Sequence, residues 1–407
     1  MRILRIIFVW TLVSLFIQGG AYFYLNNKVE EVMSPLAKEP ITLKLKAIIP
    51  GTDLENIQIS YAKDYLAYLE NGTFKVFNLV QGKQVFEKKP PSDTDKTLGV
   101  ISYQWLPDRN TLIYFYAKKN PNKVTYVPVY PTKPTVQTPK QNSTPAEPNT
   151  EDPNQKKEVQ EEPRIEKRYG NPQIIELYTL ELPESNDHTP PEDRFNKTID
   201  NLPKGGKISA LVFSTSSNLI FLTVKNDTTQ QLIEIDVMKH IRTLNKSGET
   251  IGNIAASDRF GTLYINSKIG KNQQIIAISG TKRWVISKKS TDRILGIRNG
   301  KVYIGEVIGD KIVKIKTTTD RSDLTNYPYL KTEWEGSIPF KDTRLLIGLK
   351  GQVIVYNNQI AYIVSEGQLK EIKFEGEENL ISLDGAEHIK LSQQGTATFV
   401  ELQPLTY

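Results

Sequence analysis

Residues 65–77 read YLAYLENGTFKVF, two short apolar runs separated by Asn71-Gly72. An Asn-Gly dipeptide between such runs accepts the positive φ angles of a tight turn, so this stretch predicts a β-hairpin. The same order recurs around Asn299-Gly300, and Gly309-Asp310 and Asn357-Asn358 mark further hairpins. Because no long helical periodicity follows the N-terminal segment, the pattern predicts an all-β protein with antiparallel neighbouring strands.

These hairpins recur in units. Candidate first strands begin near seven positions, and most adjacent starts are roughly 40 residues apart, the length of a four-stranded propeller blade. The starts are Ile57, Val100, Ile208, Ile254, Ile294, Leu345 and Leu380. The spacing predicts a β-propeller of six to eight blades over residues 41–407, with seven blades preferred.

The second unit is much longer than the others because it contains residues 121–168. This segment holds nine of the chain's 23 prolines and almost no large apolar residue after Tyr130. Since such a composition buries too little apolar surface to offset the entropy lost on ordering, we expect a disordered insertion. Residues 183–203 are predicted to form a second, loose loop. Without both segments the unit returns to blade length, which favours one domain over two.

Closure of the ring also has a candidate. The last unit, 380–402, is short for four strands, and the alternating strand predicted at residues 41–46 has no local partner. Pairing the two would complete a blade and remove the exposed sheet edges that favour aggregation.

The first 28 residues have the pattern of a membrane anchor. Arg2 and Arg5 precede an uncharged run in which Ile6 to Leu25 are predominantly apolar, and a bilayer core requires about 20 such residues. The basic flank predicts a cytoplasmic tip, a single-pass helix embedded in the lipid bilayer, a stalk at 29–40 and an extracytoplasmic remainder. The alternative is a signal peptide cleaved near Ala21, which would give a secreted protein.

Composition excludes several classes of site. The 407 residues include no cysteine, which rules out disulfide frameworks, thiolate metal sites, thiol nucleophiles and lipidated-cysteine anchors. The net charge of +6 comes from lysines spread along the chain. Such a distribution indicates a solvated surface, so no nucleic-acid partner is expected.

Residues 103–114, YQWLPDRNTLIY, resemble the Trp-Ser-Pro-Asp-Gly hairpin of the TolB-type, WD40-like (PD40) propeller repeat. Weaker copies begin at Tyr61 and at Phe213. The resemblance implies that an aromatic residue fills the core between blades and that Asp or Pro-Asp sets the turn. It assigns these structural roles to Trp105, Pro107, Asp108, Asp64 and Phe213. Because propellers of this kind serve as binding platforms, periplasmic scaffolds and peptidase lids, it implies a fold rather than a function.

Signatures of catalysis and of cofactor binding are missing from the sequence. There is no Gly-x-Ser-x-Gly nucleophile elbow, and Gly205-Gly206-Lys207 lacks the rest of a phosphate-binding loop. The histidines, His188, His240 and His388, lack the paired spacing of metal ligands. Asp258 lies in a turn that resembles the structural Asp hairpin of sialidase-like propellers. We therefore predict no catalytic, cofactor-binding or metal-binding residue.

Aromatic residues concentrate in the second unit. Tyr114, Phe115 and Tyr116 are successive, so they cannot all face one side of a sheet. Some of them must be exposed or covered by the insertion. Blade packing is the simpler interpretation, and the alternative is a binding surface that includes Tyr114, Tyr116, Tyr126 and Tyr130.

The combined prediction is a noncatalytic, membrane-anchored, extracytoplasmic propeller that acts as a scaffold for an envelope protein or a wall polymer. One alternative is an enzyme, either a glycan-active propeller hydrolase with two carboxylates from distant blades or a propeller subunit of a peptidase. A second alternative is a sensory domain that binds a small molecule in the central channel.

Overall fold

The computed structural model describes residues 2–33, 45–121, 124–129, 164–184, 187, 189–199, 202, 206–321 and 325–405. Its main feature is a closed ring of seven antiparallel sheets, each with four strands. The predicted all-β class, the propeller architecture and the preferred number of seven blades are confirmed. All seven predicted unit starts lie within the first strand of a blade.

The N-terminal segment forms one helix, α1 (Arg2–Met33). Within the part of the chain that the structure describes, no helix has both the length and the apolar character needed to cross a membrane. The transmembrane helix predicted for Ile6 to Leu25 is therefore not supported by the structure. Polar and small residues, among them Ser14, Gln18 and Gly19-Gly20, interrupt its apolar run.

Blades 1 to 3 each begin with the strand that lies next to the central channel and continue outward. Blade 1 contains β2 (Leu54–Ile59), β3 (Tyr65–Glu70), β4 (Thr73–Asn78) and β5 (Lys83–Lys88). Blade 2 contains β6 (Gly99–Trp105), β7 (Thr111–Lys119), β10 (Gln173–Glu181) and β11 (Glu192–Ile199). Blade 3 contains β12 (Lys207–Ser214), β13 (Leu219–Lys225), β14 (Gln230–Ile235) and β15 (Ile241–Thr243).

Blades 4 to 6 repeat the same order. Blade 4 contains β16 (Glu249–Ala256), β17 (Leu263–Ile269), β18 (Asn272–Ser279) and β19 (Lys282–Ser287). Blade 5 contains β20 (Asp292–Arg298), β21 (Lys301–Ile308), β22 (Lys311–Thr319) and β23 (Lys331–Pro339). Blade 6 contains β24 (Arg344–Ile347), β25 (Val353–Tyr356), β26 (Ile360–Ser365) and β27 (Gln368–Lys373).

Blade 7 closes the ring with strands from both ends of the chain. It contains β28 (Glu378–Ile381), β29 (Glu387–Gln394), β30 (Ala397–Pro404) and, as its outermost strand, β1 (Leu45–Pro50). Leu45 pairs with Leu402, and Pro50 pairs with Ala397. The final unit therefore receives an N-terminal strand as predicted, although that strand is centred later than residues 41–46, of which 41–44 lie outside the described residues.

A buried ion cluster holds the closing blade against blade 1. The ammonium group of Lys63 lies 2.7 Å from Asp384 and 3.3 Å from Glu387, and all three side chains are buried. Removal of one partner from such a cluster leaves an uncompensated buried charge, which typically costs about 3–5 kcal/mol. The cluster therefore fixes the turn before β3 to the turn between β28 and β29.

Burial differs between the strands of a blade. The second strand is buried on both faces because it lies between two neighbouring blades, so β3, β7, β17 and β25 are largely apolar. The outermost strands are mostly polar. One of them, β11, lies within the loose loop predicted at 183–203, and this prediction is corrected: only Ile199 of β11 is buried, so the strand lacks an apolar pattern.

The ends of the predicted disordered insertion at 121–168 form a hairpin. Strand β8 (Val124–Val129) pairs with β9 (Arg164–Tyr169), from Val124 opposite Tyr169 to Val129 opposite Arg164. This two-stranded sheet leaves blade 2 between β7 and β10. Residues 130–163 lie outside the described residues, so disorder there stays a prediction.

Candidate functional site

The residues of the predicted repeat motif lie in or beside the turns that follow the inner strands. Trp105 is fully buried, and its indole nitrogen donates to the carbonyl oxygen of Gln58 at 3.3 Å. Asp64 accepts hydrogen bonds from Ser60 at 2.9 Å and from Asn110 at 3.0 Å, which links the turns of blades 1 and 2. All three contacts join structural elements rather than exposing polar atoms to a ligand.

The other motif residues have different surroundings. Phe213 is buried between blades 2 and 3. Pro107 and Asp108 lie in the turn between β6 and β7, where the Asp108 carboxylate forms an ion pair with Arg109 at 2.7 Å. Asp108 is therefore the one residue of this motif set whose charge faces solvent.

The predicted aromatic binding surface is mostly an internal seam. Tyr114 has no exposed surface, and its ring stacks on Tyr178 with centroids 4.9 Å apart and an interplanar angle of 4°. Tyr116 is half-buried and donates to the carbonyl oxygen of Lys89 at 3.1 Å. Tyr126 lies on β8 opposite Lys167, with its side chain outside the described part, and Tyr130 lies outside the described residues.

We call the packing between blades 1 and 2 the aromatic seam. It is built from large rings that contact one another across the two blades: Phe74, Tyr103, Trp105, Tyr114 and Tyr178. Its outer end is closed by an ion pair, because the Lys88 ammonium lies 2.9 Å from Asp193 and 4.3 Å from the centroid of the Tyr178 ring. Tyr114 also donates to Asp193 at 2.6 Å. Burial, and then this hydrogen bond, raise the pKa of Tyr114, so the seam holds a neutral phenol.

A groove opens on the other side of blade 2, against blade 3. Its volume is about 220 Å³. The floor is apolar and includes residues from both blades: Leu106, Ile113, Leu177, Phe213, Leu219 and Ile235. At one edge, in the turn between β14 and β15, Val237 is 61% exposed and Met238 is 72% exposed. The apolar floor thus continues onto the outer surface.

The charged side chains that line this groove balance in number, because Arg109 and Lys239 carry positive charge and Glu181 and Asp236 carry negative charge. Glu181 binds Arg194 at 2.5 Å, and Asp236 lies 3.0 Å from His240. Lys197 of blade 2 donates to the carbonyl oxygen of Lys239 in blade 3. Balanced opposite charges leave little net potential, so the groove favours an apolar group rather than an ion.

A second cavity, of about 590 Å³, lies in the central channel. Five of the seven inner strands carry a register shift, in β2, β6, β12, β16 and β20. Such bulges re-aim side chains, and the bulged residues Ile57 and Ile101 line the cavity. Arg344 and Glu378, the first residues of β24 and β28, form a loose ion pair at 3.8 Å beside it.

The opposite end of the channel is crossed by an arginine. Arg298, at the end of β20, donates to the carbonyl oxygens of Ile347 at 3.3 Å and Leu383 at 3.4 Å, in blades 6 and 7. Asp258 lies in a turn at this end. Its pKa is raised above the usual value by burial, while Arg298 acts in the opposite direction and the Asp320 and Asp108 carboxylates raise it further. The Asp108 carboxylate of blade 2 therefore acts on the Asp258 carboxyl of blade 4.

The histidines occupy separate places. His388 is buried, stacks on Phe374 and lies 2.6 Å from the Asn379 side-chain oxygen, and burial lowers its pKa to about 4. His240 is exposed beside Asp236, and His188 lies outside the described residues. Within the described ranges, no group of three or more His, Asp and Glu side chains is arranged to hold a metal ion.

Sequence reasoning missed the groove between blades 2 and 3. Its floor comes from strands that are far apart in the chain, and each residue in it looks like an ordinary core position. The available signal was Val237-Met238, two adjacent apolar residues in a hairpin turn. Turns of this kind usually carry polar residues.

Comparisons with known proteins find similarity only among solved structures. Neither a protein-family model nor a curated protein matches the chain. Among solved structures, the Cps50 (Swd1) β-propeller domain of Myceliophteria thermophila is 11% identical with a TM-score of 0.46, covering 89% of this chain and 99% of that one. TolB of Acinetobacter baumannii is 9% identical with a TM-score of 0.37, and the match covers 85% of this chain and 78% of TolB.

A propeller-containing peptidase is also similar. The acylaminoacyl peptidase of Pyrococcus horikoshii is 11% identical with a TM-score of 0.43, covering 80% of this chain and 45% of that chain. At such low identity these similarities concern the fold alone, since one fold serves unrelated functions.

Proposed function

We propose that this protein is a noncatalytic binding platform whose groove between blades 2 and 3 takes an apolar side chain from an extended segment of a partner protein. The observation that carries the proposal is a cavity with an apolar floor, a charge-balanced rim and the exposed Val237 at its edge, next to the exposed Met238 in the chain. Exposed apolar residues beside a concave site are typical of protein-binding surfaces.

The size of the groove favours a peptide over a small molecule. Sites for small molecules have volumes of about 300–1,000 Å³, whereas the groove has about 220 Å³. That volume suits one or two aliphatic side chains. The rim disfavours a polyanionic wall polymer at this place, because Glu181 and Asp236 would repel it and Arg194 is already engaged by Glu181.

The location of the platform rests on sequence. The apolar run from Ile6 to Leu25 supports a place outside the cytoplasm, tethered at the membrane or released after cleavage near Ala21. Fractionation of the producing cells tests this: recovery with membranes or in the medium agrees with it, and recovery in the cytosol contradicts it.

Selection of a phage-displayed library of linear peptides against the full-length protein tests the groove. We expect the bound peptides to share an apolar anchor residue. Thr215→Trp, which places an indole among the lining residues, should weaken their binding at least tenfold. Ser216→Trp changes the neighbouring exposed residue of the same turn, does not line the groove and should leave binding unchanged.

Two results would contradict the proposal. The selected peptides would bind the Thr215→Trp protein as tightly as the native protein, which would place their site elsewhere. Alternatively, the full-length protein would turn over a glycan or peptide substrate and lose that activity with Asp258→Asn or Asp108→Asn, which would favour an enzyme.

The central channel supports a second candidate function, that of a small-molecule sensor. Its cavity of about 590 Å³ falls within the range of ligand sites, and Arg344 and Glu378 supply polar groups beside apolar walls. A ligand bound there should raise the melting temperature of the full-length protein. Screening metabolite mixtures by thermal shift, with Arg344→Gln as the matched variant, separates this function from peptide binding.

A further inference from the structure

A third cavity, of about 500 Å³, lies at one end of blade 5, where it is bordered by Tyr264 and Ile286 of blade 4 and by the loop that joins β22 to β23. The loop is attached to the outer strand of blade 4. Tyr327 donates its backbone N–H to the carbonyl oxygen of Val285 at 2.7 Å, and the Asn326 side chain accepts from the Val285 N–H at 2.9 Å. These bonds hold residues 325–329 beside the cavity.

At one end of blade 5, hydroxyl and ammonium groups border this cavity on the face of the blade that Tyr303 turns towards blade 6. Lys301 pairs with Thr319, and Thr317 pairs with Lys331. Paired residues of antiparallel strands lie on the same face, as do residues two apart on one strand. The two lysines therefore stand on either side of β22, about 12 Å apart at the backbone. Their long side chains can converge on one group above the threonines.

The cavity carries a positive charge balance. Lys301, Arg321 and Lys331 contribute three positive charges, and Glu333 contributes one negative charge, which leaves +2 among the lining side chains. The Glu333 carboxylate already accepts from Thr317 at 2.9 Å and binds Lys331 at 3.0 Å. The nearby Asp320 carboxylate is engaged by Tyr264 at 2.9 Å and Ser257 at 2.5 Å. An anionic ligand would thus meet cations rather than open carboxylates.

This composition lies outside the apolar packing of the blades. Val302, the neighbour of Lys301 on β21, is buried in the apolar cluster between blades 4 and 5, and Tyr303 is buried in the cluster between blades 5 and 6. Lys301 and Thr319 are exposed at the end of the blade, beyond both clusters. The loop adds Tyr329, whose side chain lines the cavity and is 84% exposed. An exposed aromatic ring beside a cationic cavity suits a ligand that has both an anionic group and a ring.

We infer that this cavity binds a sugar phosphate, with its phosphoryl group held by Lys301, Lys331 and Arg321 and its sugar ring packed on Tyr329. Ammonium and guanidinium groups form charge-assisted hydrogen bonds with phosphate oxygens, and the hydroxyl of Thr319 can add to them. The volume of about 500 Å³ lies within the usual range for such ligands. This site shares no residue with the groove between blades 2 and 3, so a negative binding result at one site does not bear on the other.

Calorimetric titration of the full-length protein with glucose 1-phosphate and with inorganic phosphate tests the inference. We expect both probes to bind, with glucose 1-phosphate the tighter, and binding to weaken as the salt concentration rises. Lys301→Gln combined with Lys331→Gln should weaken both probes at least tenfold. Tyr329→Ala should weaken glucose 1-phosphate several-fold and leave inorganic phosphate unchanged, which separates the ring contact from the phosphoryl contact.

The control variant also removes two lysine charges, but at positions away from the cavity. Lys271→Gln combined with Lys311→Gln changes two exposed lysines in or beside hairpin turns that do not line the cavity, and it should leave both affinities unchanged. Melting temperatures of all variants verify folding. The inference is overturned if neither probe binds the native protein, or if the control double variant loses as much affinity as Lys301→Gln with Lys331→Gln.

Discussion

The two sides of blade 2 pack against their neighbouring blades with different kinds of side chain. Towards blade 1, the aromatic seam is filled by stacked rings and is closed at its outer end by Lys88 and Asp193. Towards blade 3, the aliphatic seam, built around Ile113, Leu177 and Phe213, leaves the groove of about 220 Å³ open to the surface. Strand β7 supplies both, because Tyr114 and Ile113 point to opposite faces.

The difference teaches that a concentration of aromatic residues need not mark a binding surface. Large rings fill the space between two blades and leave little room for a ligand. Smaller branched side chains fill less of the wedge between blades, so a cavity remains towards the rim. In this molecule the conspicuous residues stabilise the fold, and the inconspicuous ones form the candidate site.

The largest effect should come from removing the central ring of the aromatic seam. Trp105→Ala should lower the free energy of unfolding by about 3–5 kcal/mol, since it deletes a fully buried indole and leaves a cavity. The neighbouring Leu106→Ala removes a half-buried residue that lines the groove on the opposite face, and about 1 kcal/mol is expected. Urea unfolding of both variants measures the contrast, and equal losses would show that the two seams stabilise the protein alike.

Much of the fold could be predicted because turn chemistry and strand alternation are local. Asn71-Gly72 and Asn299-Gly300 adopt positive φ angles in hairpin turns, as their sequence predicts. The spacing of these hairpins then gave the number of blades. Strand β11 was missed because an outermost strand has one polar, solvated face and little apolar signal on the other. Pairing of β8 with β9 was missed because the two strands are separated by more than 30 residues in the chain.

The candidate sites were less predictable because they depend on relations between blades. Lys301 and Thr319 become neighbours only through the register of β21 and β22. Ile113 and Phe213 meet only after blades 2 and 3 pack. The same holds for Tyr114, because its partners Tyr178 and Asp193 come after the insertion in the chain. The alternation of side chains along β7 could therefore not predict whether Tyr114 is buried or exposed.

An intermediate effect is expected at alkaline pH, where the aromatic seam should respond and the aliphatic seam should not. Tyr65 is buried there and donates to the carbonyl oxygen of Pro183 at 3.0 Å. Burial, and then the Asp64 carboxylate, raise its pKa from 10.0 to about 12. Because the unfolded chain loses this proton first, the associated stability is complete below about pH 10 and is lost as the pH rises towards 12.

Unfolding measured from pH 9 to 12 tests this expectation. Tyr65→Phe should be less sensitive to pH than the native protein, by on the order of 1–2 kcal/mol across the interval. Tyr329→Phe, which changes an exposed ring outside the seam, should follow the native profile. A Tyr65→Phe profile parallel to the native one would mean that the phenol of this seam ionises as readily in the folded protein as in the unfolded chain.

The smallest effect should distinguish the ion pairs at the outer ends of the two seams. Lys88 and Asp193 are 25% and 23% exposed, and the ammonium also lies over the Tyr178 ring. Arg194 and Glu181, at the groove, are 54% and 46% exposed. Exposed pairs contribute about 0–1 kcal/mol, and a partly desolvated cation over a ring adds about 0.5–1 kcal/mol. Lys88→Gln should therefore cost about 1 kcal/mol and Arg194→Gln less than half of that.

Double-mutant cycles with Asp193→Asn and Glu181→Gln isolate the two couplings, and repeating them at high salt adds a second criterion. Screening should abolish the coupling at the groove and reduce that at the aromatic seam only in part, because buried pairs are screened less. Equal coupling energies that vanish together in salt would mean that Lys88 is a surface charge like any other. In that case the closure of the aromatic seam would rest on its rings alone.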